Sequence, residues 1–113
     1  MVKDKINFTD FEKIDMRIGT IIKVSVNEKA RKPAYILEID FGNDIGIKKS
    51  SAQITNYKLD ELMSQKIAAV CNFEKKNIAG VESEVLVLGA LNHLGNVILL
   101  KVNNDANNGD IIT

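Results

Sequence analysis

The spacing of apolar residues along this chain changes period several times, and each change marks an element. Phe8, Phe11 and Ile14 recur at three-residue spacing, which predicts a short helix with one apolar stripe. Thr9 followed by Glu12 matches a capping box at its start. From Met16 the period falls to two, and Met16, Ile18, Thr20, Ile22, Val24 and Val26 are expected on one face of a first strand. Gly19 interrupts that strand, as interior glycines do at bulges and sharp bends. A bent strand can serve two sheets. Lys29 to Pro33 reads as a loop, after which Tyr35, Leu37, Ile39 and Phe41 alternate with the wetter Ile36, Glu38 and Asp40. Gly42-Asn43-Asp44 turns the chain into a third strand, Ile45 to Ala52. Asn56 to Met63 reads as a helix with Asn56 at its cap. Lys66 to Phe73 and Glu84 to Leu91 form strands four and five, and Asn96 to Val102 a further strand before an end that closes on Ile111 and Ile112.

Three strands, a helix and two strands is the order of the OB-fold. The expected class is therefore all-β with short helices: an OB-fold five-stranded Greek-key barrel with N- and C-terminal extensions, one domain over residues 1–113. At 45% hydrophobic residues the chain has room for one core. Val97-Ile98-Leu99-Leu100 is a continuous apolar run, so its second face needs a cover, either the amino-terminal phenylalanine stripe or a second copy of the chain.

Charge changes the picture. Fifteen basic residues balance 15 acidic ones, so no global field draws this protein to a polyanion, and any such affinity rests on how charges are distributed. Lys29, Arg31 and Lys32, then Lys48 and Lys49, then Lys75 and Lys76 form three runs with no acid inside them. In an OB-fold the first and third runs fall in loops that flank the usual oligonucleotide face. Lysine contacts to phosphate give affinity without base reading. There is no tryptophan and there are only two tyrosines, which favours shape recognition of a folded RNA over base stacking.

Bond-making chemistry is poorly provided for. His93 stands alone in an apparent turn, Glu82 with Glu84 reads as solvated charge, and Asp60-Glu61 complements a helix dipole. No phosphate-binding loop, dinucleotide motif or nucleophile elbow occurs, so no catalytic residue is assigned. Cys71 has no partner cysteine for a disulfide or a zinc site and is expected as a buried core thiol. No metal or other cofactor is specified. No apolar run nears the ~20 residues of a membrane span, and Met1 to Ile14 lacks a signal-peptide core, so a cytoplasmic protein is expected.

The stretch Asn72-Phe73-Glu74-Lys75-Lys76-Asn77-Ile78-Ala79-Gly80-Val81-Glu82-Ser83-Glu84, followed by Val85-Leu86-Val87-Leu88-Gly89, resembles the tRNA-binding domain appended to methionyl-tRNA synthetases. It is more closely similar to the stand-alone CsaA-type export chaperone. Asp15 to Gly19, Ala30 to Tyr35 and Lys48 to Ile54 carry the same resemblance. The resemblance implies tRNA as a partner, pre-secretory or unfolded polypeptides as a second, an aminoacyl-tRNA synthetase as a third, and a homodimer whose terminal extensions meet around a two-fold axis. Its motif falls on Asn72, Lys76, Gly80 and Ser83, with Lys76 on phosphate, Ser83 bonding phosphate or sugar, and Asn72 orienting the loop. Each also has a local reading, as turn former, bend or cap.

The candidate RNA-binding set is then Arg31, Lys32, Lys48, Lys49, Asn72, Lys75, Lys76 and Ser83. Synthetase-appended domains tend to carry Gly-Met where Val85-Leu86 stands, and Glu74, Asn77 and Glu82 stand where relatives often have Lys, Arg or Pro. Each glutamate there opposes phosphate. The chaperone branch implies a second function, holding polypeptide in an apolar groove with polar margins. Its candidates are Tyr35, Ser50, Ser51, Ile78 and Val81, the last two reading equally as anchors that fold onto the barrel. The expected function is tRNA binding of the CsaA type with export-chaperone activity, the alternative being peptide capture alone.

Overall fold

One long strand organises the molecule, for which a computed structural model describes residues 1–113. Strand β1 (Met16–Val26) pairs antiparallel with β4 (Lys66–Val70) along its first half, from Met16 opposite Val70 to Thr20 opposite Lys66. Its second half pairs with β2 (Tyr35–Asp40), from Thr20 opposite Asp40 to Val26 opposite Tyr35. Strand β2 in turn pairs with β3 (Ile47–Ala52), and β4 with the short β7 (Leu86–Val87), giving the order β3-β2-β1-β4-β7. The result is the expected nearly closed five-stranded antiparallel barrel. Ile21, Leu37, Ile39, Phe41, Leu62 and Ile67 are fully buried at its centre. The helices are short: α1 (Phe8–Glu12) precedes the barrel, and α2 (Leu59–Leu62) lies between β3 and β4 and inserts Leu62.

The change of partner within β1 requires a bend, and two features supply it. The register with β2 slips between Ile21 and Lys23, so Ile22 is the extra residue of a bulge. The bulge reverses the alternation: Gly19 and Ile21 face the core before it and Val24 packs on the core after it, while Ile22 is 40% exposed and Val26, at the strand's end, is exposed. The even-numbered face expected from Met16 to Val26 is therefore broken at its middle. Gly19 has a different role from the bulge: a Cβ there would lie 2.6 Å from Ile39 Cγ2 and 2.8 Å from the Phe41 ring. It lets the bent strand approach the core closely.

Other elements depart from expectation for local reasons. The strand expected over Glu84 to Leu91 splits in two: β7 stays in the barrel, while β8 (Gly89–Leu91) leaves to pair with β9 (Val97–Leu99). Gly89 permits that pairing, since a Cβ would sit 2.5 Å from Val97 Cγ1. Val97 and Leu99 pack on the core, Ile98 and Leu100 stay exposed, and α1 has no buried residue. Asn56 does not cap α2. The carboxylate of Glu61 accepts from the Lys58 amide at 2.8 Å instead, while the Asn56 side chain donates to the Val97 carbonyl. In α1 it is Asn7, not Thr9, whose amide is held by a carboxylate, that of Asp10 at 3.3 Å. The C-terminal segment runs beside the half of β1 that β2 leaves free, with Gly109 donating to Ile18 at 2.8 Å and Ile112 to Met16 at 2.9 Å.

Strand β4 ends at Val70, so Cys71 is half-buried beside the core instead of within it, and Phe73 is exposed. Desolvation, with a smaller push from the Asp15 carboxylate, moves the Cys71 thiol up from 9.0 to about 11. About one thiol in a thousand is then ionised at pH 8, and iodoacetamide should alkylate Cys71 roughly 100-fold more slowly than an ordinary cysteine. Equal rates in a competition with a cysteinyl peptide would contradict this. Gly19→Ala should overpack the site against Ile39 and Phe41 and cost about 1–3 kcal/mol, read as a lower urea midpoint.

Candidate nucleic-acid interface

The barrel seam lies where β3 meets the chain around Glu84, and side chains do most of the closing. The Glu84 amide donates to the Lys49 carbonyl at 2.9 Å, and the Lys49 amide donates back to the Glu84 carboxylate at 2.9 Å. On either side, the Ser51 amide donates to Ser83 Oγ at 3.1 Å and the buried Ser50 hydroxyl donates to the Val85 carbonyl at 3.1 Å. Directly before this seam the stretch expected as a lysine-bearing loop is a β-hairpin, β5 (Lys76–Ile78) and β6 (Val81–Ser83). Its two-residue turn, Ala79-Gly80, has φ +49° and +83°, the pattern of a tight primed turn, and the Asn77 side chain accepts from the Gly80 amide.

The connection between β1 and β2 folds toward the tip of that hairpin. Asn27, itself buried, bonds the Ala34 carbonyl through its amide and accepts from Lys29 and Ala30, which curls the loop. Lys29 crosses the turn closely enough that a Cβ on Gly80 would lie 3.3 Å from its Cδ. A groove of about 340 Å³ runs between loop and hairpin, walled by Arg31, Lys32, Ser51, Gln53, Ile78 and Ala79. Beyond Ile78 is a more apolar groove of about 460 Å³, with Phe73, Val85 and Leu86 on its walls beside Lys76, Ser83, Glu74 and Glu84. A third, of about 510 Å³, separates β6 from the outward face of β2 and β3, where Glu38, Ile47, Lys49, Glu82 and Glu84 meet.

The candidate residues therefore distribute unevenly around one hairpin. Arg31, Lys32 and Lys76 are exposed and have no carboxylate within 4 Å. Lys75 differs, with its Nζ 3.7 Å from Glu84 and 3.9 Å from Glu82. Lys48 and Lys49 point to opposite faces of β3: Lys49 is exposed opposite Glu38, whereas Lys48 is half-buried opposite the core residue Ile39. Asn72 has both ends of its amide occupied, accepting from the Asp15 amide at 2.9 Å and donating to the Lys13 carbonyl at 2.7 Å, so it pins the approach to β1. Ser83 accepts from Ser51 and keeps its own O–H to donate.

Among the peptide candidates, Ile78 is exposed, while Ser51 and Val81 are partly buried at groove walls. Tyr35 and Ser50 differ from expectation. They are 8% and 2% exposed, and their hydroxyls already donate to the Tyr57 and Val85 carbonyls, which leaves a peptide nothing to contact. Sequence reading passed over Gln53, Phe73 and Leu86. Leu86 was signalled by the unbroken apolar run Val85 to Leu88, in which alternation requires one residue to face out. No group of three or more His, Cys, Asp or Glu side chains is placed to hold a metal ion.

The family model "Putative tRNA binding domain" matches residues 16–111. The chain belongs to that family. It is 31% identical over 110 residues to the methionine–tRNA ligase of Methanococcoides burtonii, covering 97% of this chain, and 37% identical over 90 residues to that of Pyrococcus furiosus, covering 75%. The match spans only 16% and 12% of those two ligases. Among solved structures, the CsaA chaperone of Picrophilus torridus is 53% identical with a TM-score of 0.91, covering 96% of this chain and 100% of that one. The CsaA chaperone of Bacillus anthracis is 48% identical with a TM-score of 0.90, covering 97% and 100%. A methionyl-tRNA-synthetase-related protein of Pyrococcus horikoshii is 25% identical with a TM-score of 0.88, covering 98% and 100%.

Glu84 holds both the seam and Lys75, so Glu84→Ala should cost about 1–3 kcal/mol and speed amide exchange at Lys49. Unchanged exchange at Lys49 would show that the seam does not need this carboxylate.

Proposed function

We propose that this chain is a binding protein, with no catalytic step, that captures tRNA on the rim formed by the β1–β2 loop and the β5–β6 hairpin. One observation carries the reading: Arg31, Lys32 and Lys76, from parts of the chain more than forty residues apart, flank one hairpin and none has a carboxylate within 4 Å. In a chain of zero net charge that local excess is what a phosphate backbone can use. Ser83 and Gln53 add hydrogen-bonding groups for phosphate or 2′-hydroxyl, and Phe73 is the exposed aromatic available for stacking. The family match and the synthetase relatives support tRNA as the RNA, and the cytoplasm as the place of action. No helix is long and apolar enough to cross a membrane.

A second copy of the chain would cover the apolar surface that β8, β9 and α1 leave open. Leu91, Leu94, Ile98 and Leu100 are exposed there, Leu94 at 72%, and Phe8 is uncovered on α1. A two-fold pairing would also present two basic rims, doubling the contact with a folded RNA. The homodimer should show a solution mass of twice 12.5 kDa by light scattering at micromolar concentration, and a single-chain mass would end the proposal.

A polypeptide is the second ligand class that a specific observation favours. The groove walled by Phe73, Ile78, Val85 and Leu86 is largely apolar, the property required for holding unfolded or pre-secretory chains, and two of the similar structures are chaperones.

The two readings respond oppositely to salt. With about four phosphate contacts, tRNA affinity should fall roughly 50- to 150-fold between 50 and 200 mM salt. Arg31→Glu with Lys76→Glu should weaken tRNA binding by more than ~10-fold, while Lys75→Gln should change it less than ~2-fold, because Glu82 and Glu84 already occupy that charge. Salt-insensitive binding that fails on Ile78→Ser would favour the peptide instead.

A further inference from the structure

The β5–β6 hairpin stands between two surfaces of different electrical character. On the loop side Arg31 and Lys32 line a groove with no acid, and Lys76 at the hairpin's base has no carboxylate within 4 Å although Glu74 and Glu84 line its groove. On the other side cations and acids are interleaved, with Lys23 and Lys75 ion-paired and Lys49 without a carboxylate within 4 Å. Lys23 Nζ lies 3.6 Å from Glu38, Lys49 stands opposite Glu38 in the β2–β3 register, and Lys75 is shared between Glu82 and Glu84. One ammonium serving two carboxylates leaves that triad net negative, and Glu82, 69% exposed and at the longest ion-pair distance, projects most of the uncompensated charge.

OB barrels in general take oligonucleotides across the outward face of strands two and three. In this chain Glu38 sits at the middle of that face, with Glu82 and Glu84 along its border. A phosphate there would release no counterion from a lysine already paired, and would meet carboxylate as well. Resting on the RNA reading above, we infer that the hairpin acts as a charge divider, with RNA confined to the Arg31–Lys32–Lys76 side and kept off the β2–β3 face by Glu38 and Glu82. These two glutamates are specificity-determining residues that act by exclusion, setting where the strand runs and holding affinity below what the lysines of the face could supply.

Removing the acids should free the cations they occupy. The Glu38→Gln, Glu82→Gln double variant should bind unfractionated tRNA about 3- to 10-fold more tightly, with the salt slope steeper by about one to two contacts. The path is read directly by photo-cross-linking from benzoylphenylalanine placed at Gln53, in the loop-side groove, or at Ile47, on the β2–β3 face. In the otherwise native protein Gln53 should cross-link to tRNA and Ile47 should not, and Ile47 should begin to do so in the double variant. Equal cross-linking from both positions in the native background overturns the divider, as does unchanged or weaker binding by a double variant that keeps its melting transition. If that variant fails to fold, the native cross-linking pattern decides alone. Absence of tRNA binding in every variant removes the RNA reading itself, and the divider with it.

Discussion

The structure depends on how β3 is joined to Ser83, Glu84 and Val85. A five-stranded barrel with one strand only two residues long cannot close on backbone ladders alone, because β7 is used up against β4. Ser50, Ser83 and Glu84 supply the missing bonds from side chains. Of these, the Ser50 hydroxyl is buried and paired, the condition under which a buried polar group stabilises a unique arrangement, while Ser83 and Glu84 are half-buried. The hairpin begins on the residues just before this seam, so its base is fixed and only its tip is free. Lys29, lying across Gly80, limits the tip as well. A rim held at both ends can present cations at set positions, which a mobile loop cannot do without an ordering cost.

Fixed geometry matters here because total charge is zero. A protein with a large positive field attracts polyanions wherever they approach, and its selectivity is low. Here attraction is confined to places where cations outnumber acids within a Debye length, about 8 Å at physiological salt. Lys75 and Lys76 are neighbours in sequence, yet one is tied to two glutamates and the other is unpaired. Lys75 lies just before β5 and reaches Glu82 and Glu84, whereas Lys76 opens the strand, where alternation sends successive residues to opposite faces of the hairpin.

That rule also explains what was legible in the sequence. The element order, and with it the barrel, followed from changes of period at Met16, Tyr35 and Lys66 and from turn residues between them. The meeting of the Arg31–Lys32 loop with the Lys76 stretch followed once the barrel was assumed. The burial of Tyr35 and Ser50 is contained in the pattern, since Tyr35 alternates in phase with Leu37 and Ile39, and Ser50 stands opposite Leu37. Lys48 and Lys49 are adjacent in sequence but diverge, as consecutive strand residues must. Other features left no local trace. The bulge at Ile22 involves neither glycine nor proline, and the hairpin turns through Ala79, a residue seldom found at positive φ. The first accompanies the change of partner within β1, and the second is the two-residue closure of β5 on β6.

The two ligand classes proposed for the rim are not independent on this geometry. Ile78 walls both the loop-side groove and the apolar one, and Lys76 with Ser83 lines the groove that Phe73 and Leu86 make apolar. A polypeptide bound against Ile78 and Leu86 would cover the ammonium and hydroxyl that phosphate needs, and a phosphate held there would keep the apolar wall wet. The hairpin thus offers a single seat with two chemistries. Occupancy then follows relative concentration and salt: electrostatic capture weakens as ionic strength rises while apolar burial does not. A barrel that carried the two functions on separate faces would escape this coupling. In this chain the β2–β3 face beside the hairpin sets Glu38, Glu82 and Glu84 against its lysines, with Lys23 and Lys75 ion-paired, so on the proposed reading both ligands use the same strip of the molecule.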